Sequence, residues 1–224
     1  NNPPKYVSYP SGPIPLAAAQ RIGSGAVFAA GLTSTLDNGR WNAATNPYDN
    51  TLDELLDSVI QWGLPGADNV LWFRGHGVFQ QGARVSQIRT ALAAKGYVVV
   101  EDNLDNNITQ AKLTPYDVLV IPGMQMGARW SGGNPALLGD LEVEAIDNWV
   151  RAGGVLLIFN NTDFSGYNYY RLQNKILAKL GFGWRFQSDS IYDNVDNWDG
   201  NYSIKAQVAQ DCPGCGYKQS TGFD

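Results

Sequence analysis

The chain is poor in the residues that most often carry protein chemistry. It has one histidine, His76, two cysteines and two methionines among 224 residues. A closed structural zinc site takes four nitrogen or sulfur ligands, so this inventory argues against one within a single chain. Lysine is scarce, and the net charge is −5 with a pI near 4.8. Sequence-independent nucleic-acid binding needs a basic face, and the acidic balance speaks against it. No stretch approaches the ~18 apolar residues of a membrane span; Val155–Phe159 is strand-sized. The opening "NNPPKYVSYPSGP" lacks an initiator methionine and an apolar leader core, which fits a mature secreted product or a trimmed chain.

What is present is the composition of a globular protein, 44% apolar and 17% charged, long enough for one large or two small domains. Seven tryptophans and eleven tyrosines, with abundant asparagine, give it an extracellular look. Asn107, Asn160 and Asn201 open Asn-x-Ser/Thr sequons and are candidate glycosylation sites, although an Asn-rich chain produces that many by chance. Cys212-Pro213-Gly214-Cys215 places Pro and Gly where a type II turn wants them. Such a turn brings the flanking Cα atoms within ~7 Å, inside disulfide reach. A redox pair would open a helix, and "GYKQSTGFD" is a poor one. A local Cys212–Cys215 disulfide is expected, with free thiols and a metal shared between chains as the alternatives.

From residue 67 to 183 strand-like and helix-like segments alternate. "NVLWF", "YVVVE", "VLVIP" and "VLLIF" are short apolar runs. Between them, "RVSQIRTALAAKG" places Val85, Ile88 and Leu92 on one face and ends at Gly96. "ITQAKLTPYD" is a helical turn stopped by Pro115. "GDLEVEAIDNWVRAGG" begins at a capping Asp140 and turns Leu141, Ala145, Ile146, Trp149 and Val150 inward. "YNYYRLQNKILAKLG" turns Tyr169, Leu172, Ile176 and Leu180 inward and ends at Gly181. Continuous apolar strands imply a sheet covered on both faces, so the expected fold is α/β, with a doubly wound, mostly parallel, three-layer sheet. Residues 1–66 add an arm, a hairpin around "GSG" and an amphipathic helix, "TLDELLDSVIQW". Thr51 and Glu54 form its capping box. They make too small a core to stand alone and are expected to extend the main sheet. Residues 184–224 form a loop-rich extension, and the whole is expected to be one compact unit.

Three features between Asn69 and Phe182 give a resemblance: a strand ending in Gly75-His76-Gly77, the segment "LTPYDVLVIPG", and a helix running into "WVRAGGVLLIFNN". They resemble the class I glutamine amidotransferase-like superfamily, including its ThuA-like branch, whose fold is flavodoxin-like. The resemblance implies a nucleophile elbow after Val155–Phe159, where catalytic relatives hold a cysteine activated by a later histidine. Here the elbow reads Asn160, Asn161, Thr162, and no histidine follows. An amide side chain is no nucleophile, so the elbow reads as degenerate; Asn160 and Asn161 would then serve as caps.

Two functional readings follow. One is a non-catalytic secreted or cell-surface module without a cofactor, used for self-association, for binding another surface protein or for binding carbohydrate. The Pro-rich arm 1–15 and the loop tryptophans Trp41, Trp130, Trp184 and Trp198 suit an interface. The other is a hydrolase using His76 with Asp163 or Asp102, in a strand-edge pocket shared with Asp105, Gln125 and Asn161. Separately, Asp189, Asp193, Asp196 and Asp199 offer hard oxygen ligands for calcium, or make a solvated loop.

Overall fold

The computed structural model describes residues 17–31, 33–38, 52–78, 80–103, 107–124, 138–160 and 169–186. Six strands form one sheet: β1 (Ala17–Ile22), β2 (Gly25–Ala30), β3 (Asn69–Trp72), β4 (Val98–Glu101), β5 (Val118–Pro122) and β6 (Val155–Phe159). Their order is β1-β2-β6-β5-β3-β4. Strands β2 to β6 run parallel and β1 runs antiparallel to β2. The sheet is therefore α/β and mostly parallel, and the hairpin extends it as expected. Among the described residues five α-helices accompany the strands: α1 (Leu52–Gly63), α2 (Ser86–Ala94), α3 (Gln110–Leu113), α4 (Asp140–Arg151) and α5 (Tyr169–Leu180).

Each strand side feeds a separate apolar layer. Val70, Trp72, Val118, Val120, Val155 and Leu157 face α1 and α2, meeting Leu56, Ile60, Ile88 and Leu92. Leu71, Leu119, Ile121, Leu156 and Ile158 face α3 to α5, meeting Leu113, Ile146, Val150, Ile176 and Leu177. Full burial of one such side chain is worth roughly 1.5–3 kcal/mol, so the two layers dominate the folding energy. The helix stops lie where the glycines predict: Gly96 and Gly181 take positive φ, at 103° and 73°, a conformation that glycine adopts without a Cβ clash.

Three expectations are corrected. Leu141 is not inward: it is 82% exposed, and Val143 is buried in its place. The inward stripe of α4 runs through Val143, Ile146 and Val150, and a residue two positions earlier points about 200° away at ~100° per residue. Asp140 is not the cap, because Gly139 holds that position. Asp140 instead pairs with Lys175 of α5 at 2.8 Å, and this hydrogen bond holds its carboxyl below the usual carboxylate range. Finally, apolar continuity does not mean that every strand is covered. Val98 and Val100 of β4 are 56% and 39% exposed, because β4 is an edge strand and α3 beside it is a single turn. The proposed cap Thr51 and the Tyr169 side chain fall outside the described residues.

The N-terminal ends of β3 and β5 are tied by Asp117. Its Oδ2 accepts from the backbone N–H of Asp68 and Asn69, both at 2.9 Å, and from the Asn69 amide. Burial raises its pKa, and these three donors outweigh burial and hold the carboxyl below its ordinary value.

Candidate functional site

Parallel α/β sheets bind ligands beyond the carboxyl ends of their strands, at the point where the strand order reverses. Here β3 is followed outward by β4, and β5 then returns to the other side of β3. The reversal falls between β3 and β5. The loop after β3 carries Gly75-His76-Gly77 to that point.

His76 is buried in the loop that follows β3. It is 1% exposed and takes φ 51°, a left-handed conformation uncommon for a non-glycine residue. Its ring lies 5.8 Å from that of Phe73. Its Nε2 lies 2.9 Å from Oε1 of Glu142, in the first turn of α4. Glu142 is already occupied: Oε1 accepts from the Ile108 N–H at 3.0 Å and Oε2 from the Gly139 N–H at 2.7 Å. The second bond is half of a capping box, since Gly139 has no side chain to return the favour. One carboxylate thus joins the β3 loop, the approach to α3 and the start of α4.

Asp102 is not part of this knot in any hydrogen bond seen here. Its Oδ2 pairs with Lys112 of α3 at 3.1 Å, and its Oδ1 accepts from Asn103 N–H. Asp163, Asp105, Gln125, Asn161 and Thr162 lie outside the described residues. So do Cys212 and Cys215, Asp189, Asp193, Asp196 and Asp199, Asn201, and Trp41, Trp130 and Trp198. Trp184 is half-buried and stacks edge-on against Phe186, with centroids 4.9 Å apart. Among the described residues no group of three or more His, Cys, Asp or Glu is placed to hold a metal ion, and no helix is long and apolar enough to cross a membrane.

Asn160 follows β6 directly. Its backbone N–H donates to the Ala30 carbonyl and its own carbonyl accepts from Thr33 N–H, so the residue continues the β2–β6 ladder. The side chain is buried, 3% exposed, and its Oδ1 has no hydrogen-bond partner among the described residues. Of the described sequon residues, Asn160 is buried whereas Asn107 is exposed. The next helix among the described residues begins at Tyr169, and residues 161–168, on which the cap reading of Asn160 and Asn161 depends, lie outside the described residues. Nearby, Thr33, Gln80 and Gln173 are fully buried polar residues. Thr33 Oγ1 donates to Gln80 Oε1 at 3.1 Å, and Gln173 Nε2 reaches the carbonyls of Met124 and Phe159 at 3.4 and 3.5 Å. Sequence reasoning missed Glu142 and Gln173. Glu142 was visible as an acidic residue in a first helical turn, but its partner is 66 residues away. Gln173 gave no signal, being one polar residue inside an apolar stripe.

A second feature lies at the far edge. A groove of about 360 Å³ opens between β4 and α3. Leu71, Val100, Ala111, Pro115 and Tyr116 form its walls, and the Asp102–Lys112 pair lies along it.

The fold and site together define a doubly wound α/β protein with a buried His76–Glu142 pair in the loop after β3. No family model matches the chain, and no curated protein matches it. Among solved structures it is similar to IMPa, a metallopeptidase from Pseudomonas aeruginosa. The complex of IMPa with an O-glycopeptide is 17% identical with a TM-score of 0.43. IMPa itself is 20% identical at 0.41, and IMPa metallopeptidase in complex with T-antigen is 21% identical at 0.41. Each match covers 74% of this chain and 16% of that one.

Proposed function

We propose that the chain is a non-catalytic α/β module, secreted or displayed at a cell surface, that acts by binding or assembly. In this reading it is a degenerate relative of the amidotransferase-like superfamily it resembles. One observation carries the proposal: the lone histidine is buried against Glu142, and the strand that would deliver a nucleophile delivers a buried amide, Asn160. A general base must reach the proton it removes. The Nε2 of His76 is engaged by a carboxylate that also holds two backbone N–H groups, which is the work of a structural knot. Nucleophilic catalysis needs a hydroxyl, thiol, amine or carboxylate, and Asn160 offers none. The aromatic-rich, lysine-poor composition supports the extracellular setting.

The same His–Glu contact favours a second reading, a hydrolase in which Glu142 orients His76 as a base. Incubating the full chain with a panel of amides, esters and glycosides, beside His76→Ala, separates the two. The module reading expects no turnover from either protein and a stability loss of about 2 kcal/mol in the variant, from the lost hydrogen bond to Glu142 and the space the buried ring vacates. Turnover by the natural chain that vanishes in a folded His76→Ala overturns it.

A further inference from the structure

We propose that the open edge of β4 docks an extended peptide, which joins the sheet as one more strand. The proposal names a partner for the binding module above and rests on that reading.

Strand β4 hydrogen-bonds to β3 alone among the described strands. Val98 N–H donates to Asp68 and Asp102 N–H to Trp72, both across that pair. Alternation along a strand then turns the N–H and C=O of Val99 and Glu101 outward, where they offer a ladder for a peptide backbone. The side chains supply an apolar floor. Val98 and Val100 share the sheet face of Leu71, since Leu71 is the register partner of Val100. Both valines are exposed, and the floor continues into the 360 Å³ groove beside α3.

Exposed edge strands are usually guarded by charge, proline or a covering element. Here the carboxylates nearby are already paired within the chain. Glu101 is held by Arg74 at 3.7 Å and Arg89 at 3.1 Å, and Asp102 by Lys112 at 3.1 Å. The edge therefore calls for an uncharged strand with branched apolar side chains at alternate positions. Its size selects a peptide over a second copy. A four-residue strand spans only ~13 Å at about 3.3 Å per residue, and with one small groove it falls well short of the ~800 Å² per partner that stable dimers bury.

The test is a selection of seven-residue peptides displayed on phage against the immobilised full chain. Enriched sequences should alternate branched apolar residues. A synthetic copy should bind with little change between ~0.1 and ~1 M salt, and N-methylation of alternate amides should abolish binding. Val98→Lys and Val100→Lys should each weaken it at least tenfold with an unchanged circular dichroism spectrum. A selection without consensus overturns the proposal, as do peptides bound equally by both variants. A concentration-dependent dimer broken by Val98→Lys assigns the edge to a second copy and also overturns it. Failure of the peptide with no turnover leaves the module reading standing, whereas turnover dependent on His76 removes that reading whatever the peptide does.

Discussion

Strand β1 closes one end of the sheet and β4 the other, and the two ends are finished differently. At the β1 end the hairpin is pressed into the turn between α4 and β6. Gly23 sits at φ 62°, Ser24 N–H donates to the Arg151 carbonyl, and a Cβ on Gly25 would lie 2.2 Å from the carbonyls of Val150 and Gly154. The exposed positions of β1 are small or polar. Arg21 lies 4.9 Å over the Trp62 ring and donates to the Trp62 carbonyl, and Gln20 accepts from Gly183 N–H. At the β4 end the strand is anchored at its start. The Tyr97 hydroxyl donates to Asp57 at 2.6 Å and accepts from Gln61 at 2.9 Å, both on α1. Beyond that point two valines face solvent. One edge is closed by backbone contact and guarded by polar residues; the other is fixed at one end and left apolar. The contrast separates stability from availability within a single sheet.

That contrast can be broken most sharply at Gly25. Gly25→Ala drives a methyl group into two backbone carbonyls that cannot retreat, and about 3 kcal/mol of stability should vanish in urea denaturation. A loss under ~1 kcal/mol would mean that the hairpin is not held where it lies. Asp117→Ala comes next. It strips the acceptor from two backbone N–H groups at the base of β3, at a cost of about 2 kcal/mol. Because the folded-state pKa is depressed, the carboxylate stabilises the fold above its unfolded value of 3.8, and that contribution is lost as pH falls below it. The variant should show a flatter acid limb in a titration of stability against pH.

Tyr97→Phe tests the anchor of the open edge and should cost about 1 kcal/mol. Burial, followed by the bond to Asp57, pushes the phenol from 10.0 up to about 12. A raised pKa means that the folded chain keeps a proton the unfolded chain has lost. Stability from this group is complete below pH 10 and falls between pH 10 and about 12. The alkaline decline should shrink in Tyr97→Phe, and an unchanged decline would assign it to other groups. The smallest effect is expected at Val98→Lys, within ~0.5 kcal/mol because the side chain is mostly in solvent. A loss above 2 kcal/mol would make the β4 edge part of the core and erase the comparison.

Most of the sheet was legible because its cues are local. Val118–Ile121 and Val155–Phe159 are apolar runs bounded by turn residues, and Gly96 and Gly181 stand where helices must stop. Leu141 was misread because two residues of helical phase separate it from Val143, and hydrophobicity alone does not record phase. The exposure of Val98 and Val100 was hidden for a related reason: a strand buried on both faces and an apolar edge strand have the same composition. The site was legible only in part. His76 stood out as the lone histidine between glycines, and the amides Asn160 and Asn161 in place of a cysteine after Phe159 were read directly. The partner of His76 was not, because Glu142 meets it through the reversal of strand order, a property of the assembled sheet.

The neighbours of β2 are far apart along the chain: Ala26 lies opposite Val155, 129 residues later. During synthesis the hairpin leaves the ribosome before its parallel partner β6, the last of the described strands. Contacts of such long range close slowly, so β2 must wait, apolar on both faces, while β3, β4 and β5 are made. A nascent chain halted before residue 155 should therefore carry an unpaired β2 and engage chaperones, and one extended past β6 should release them.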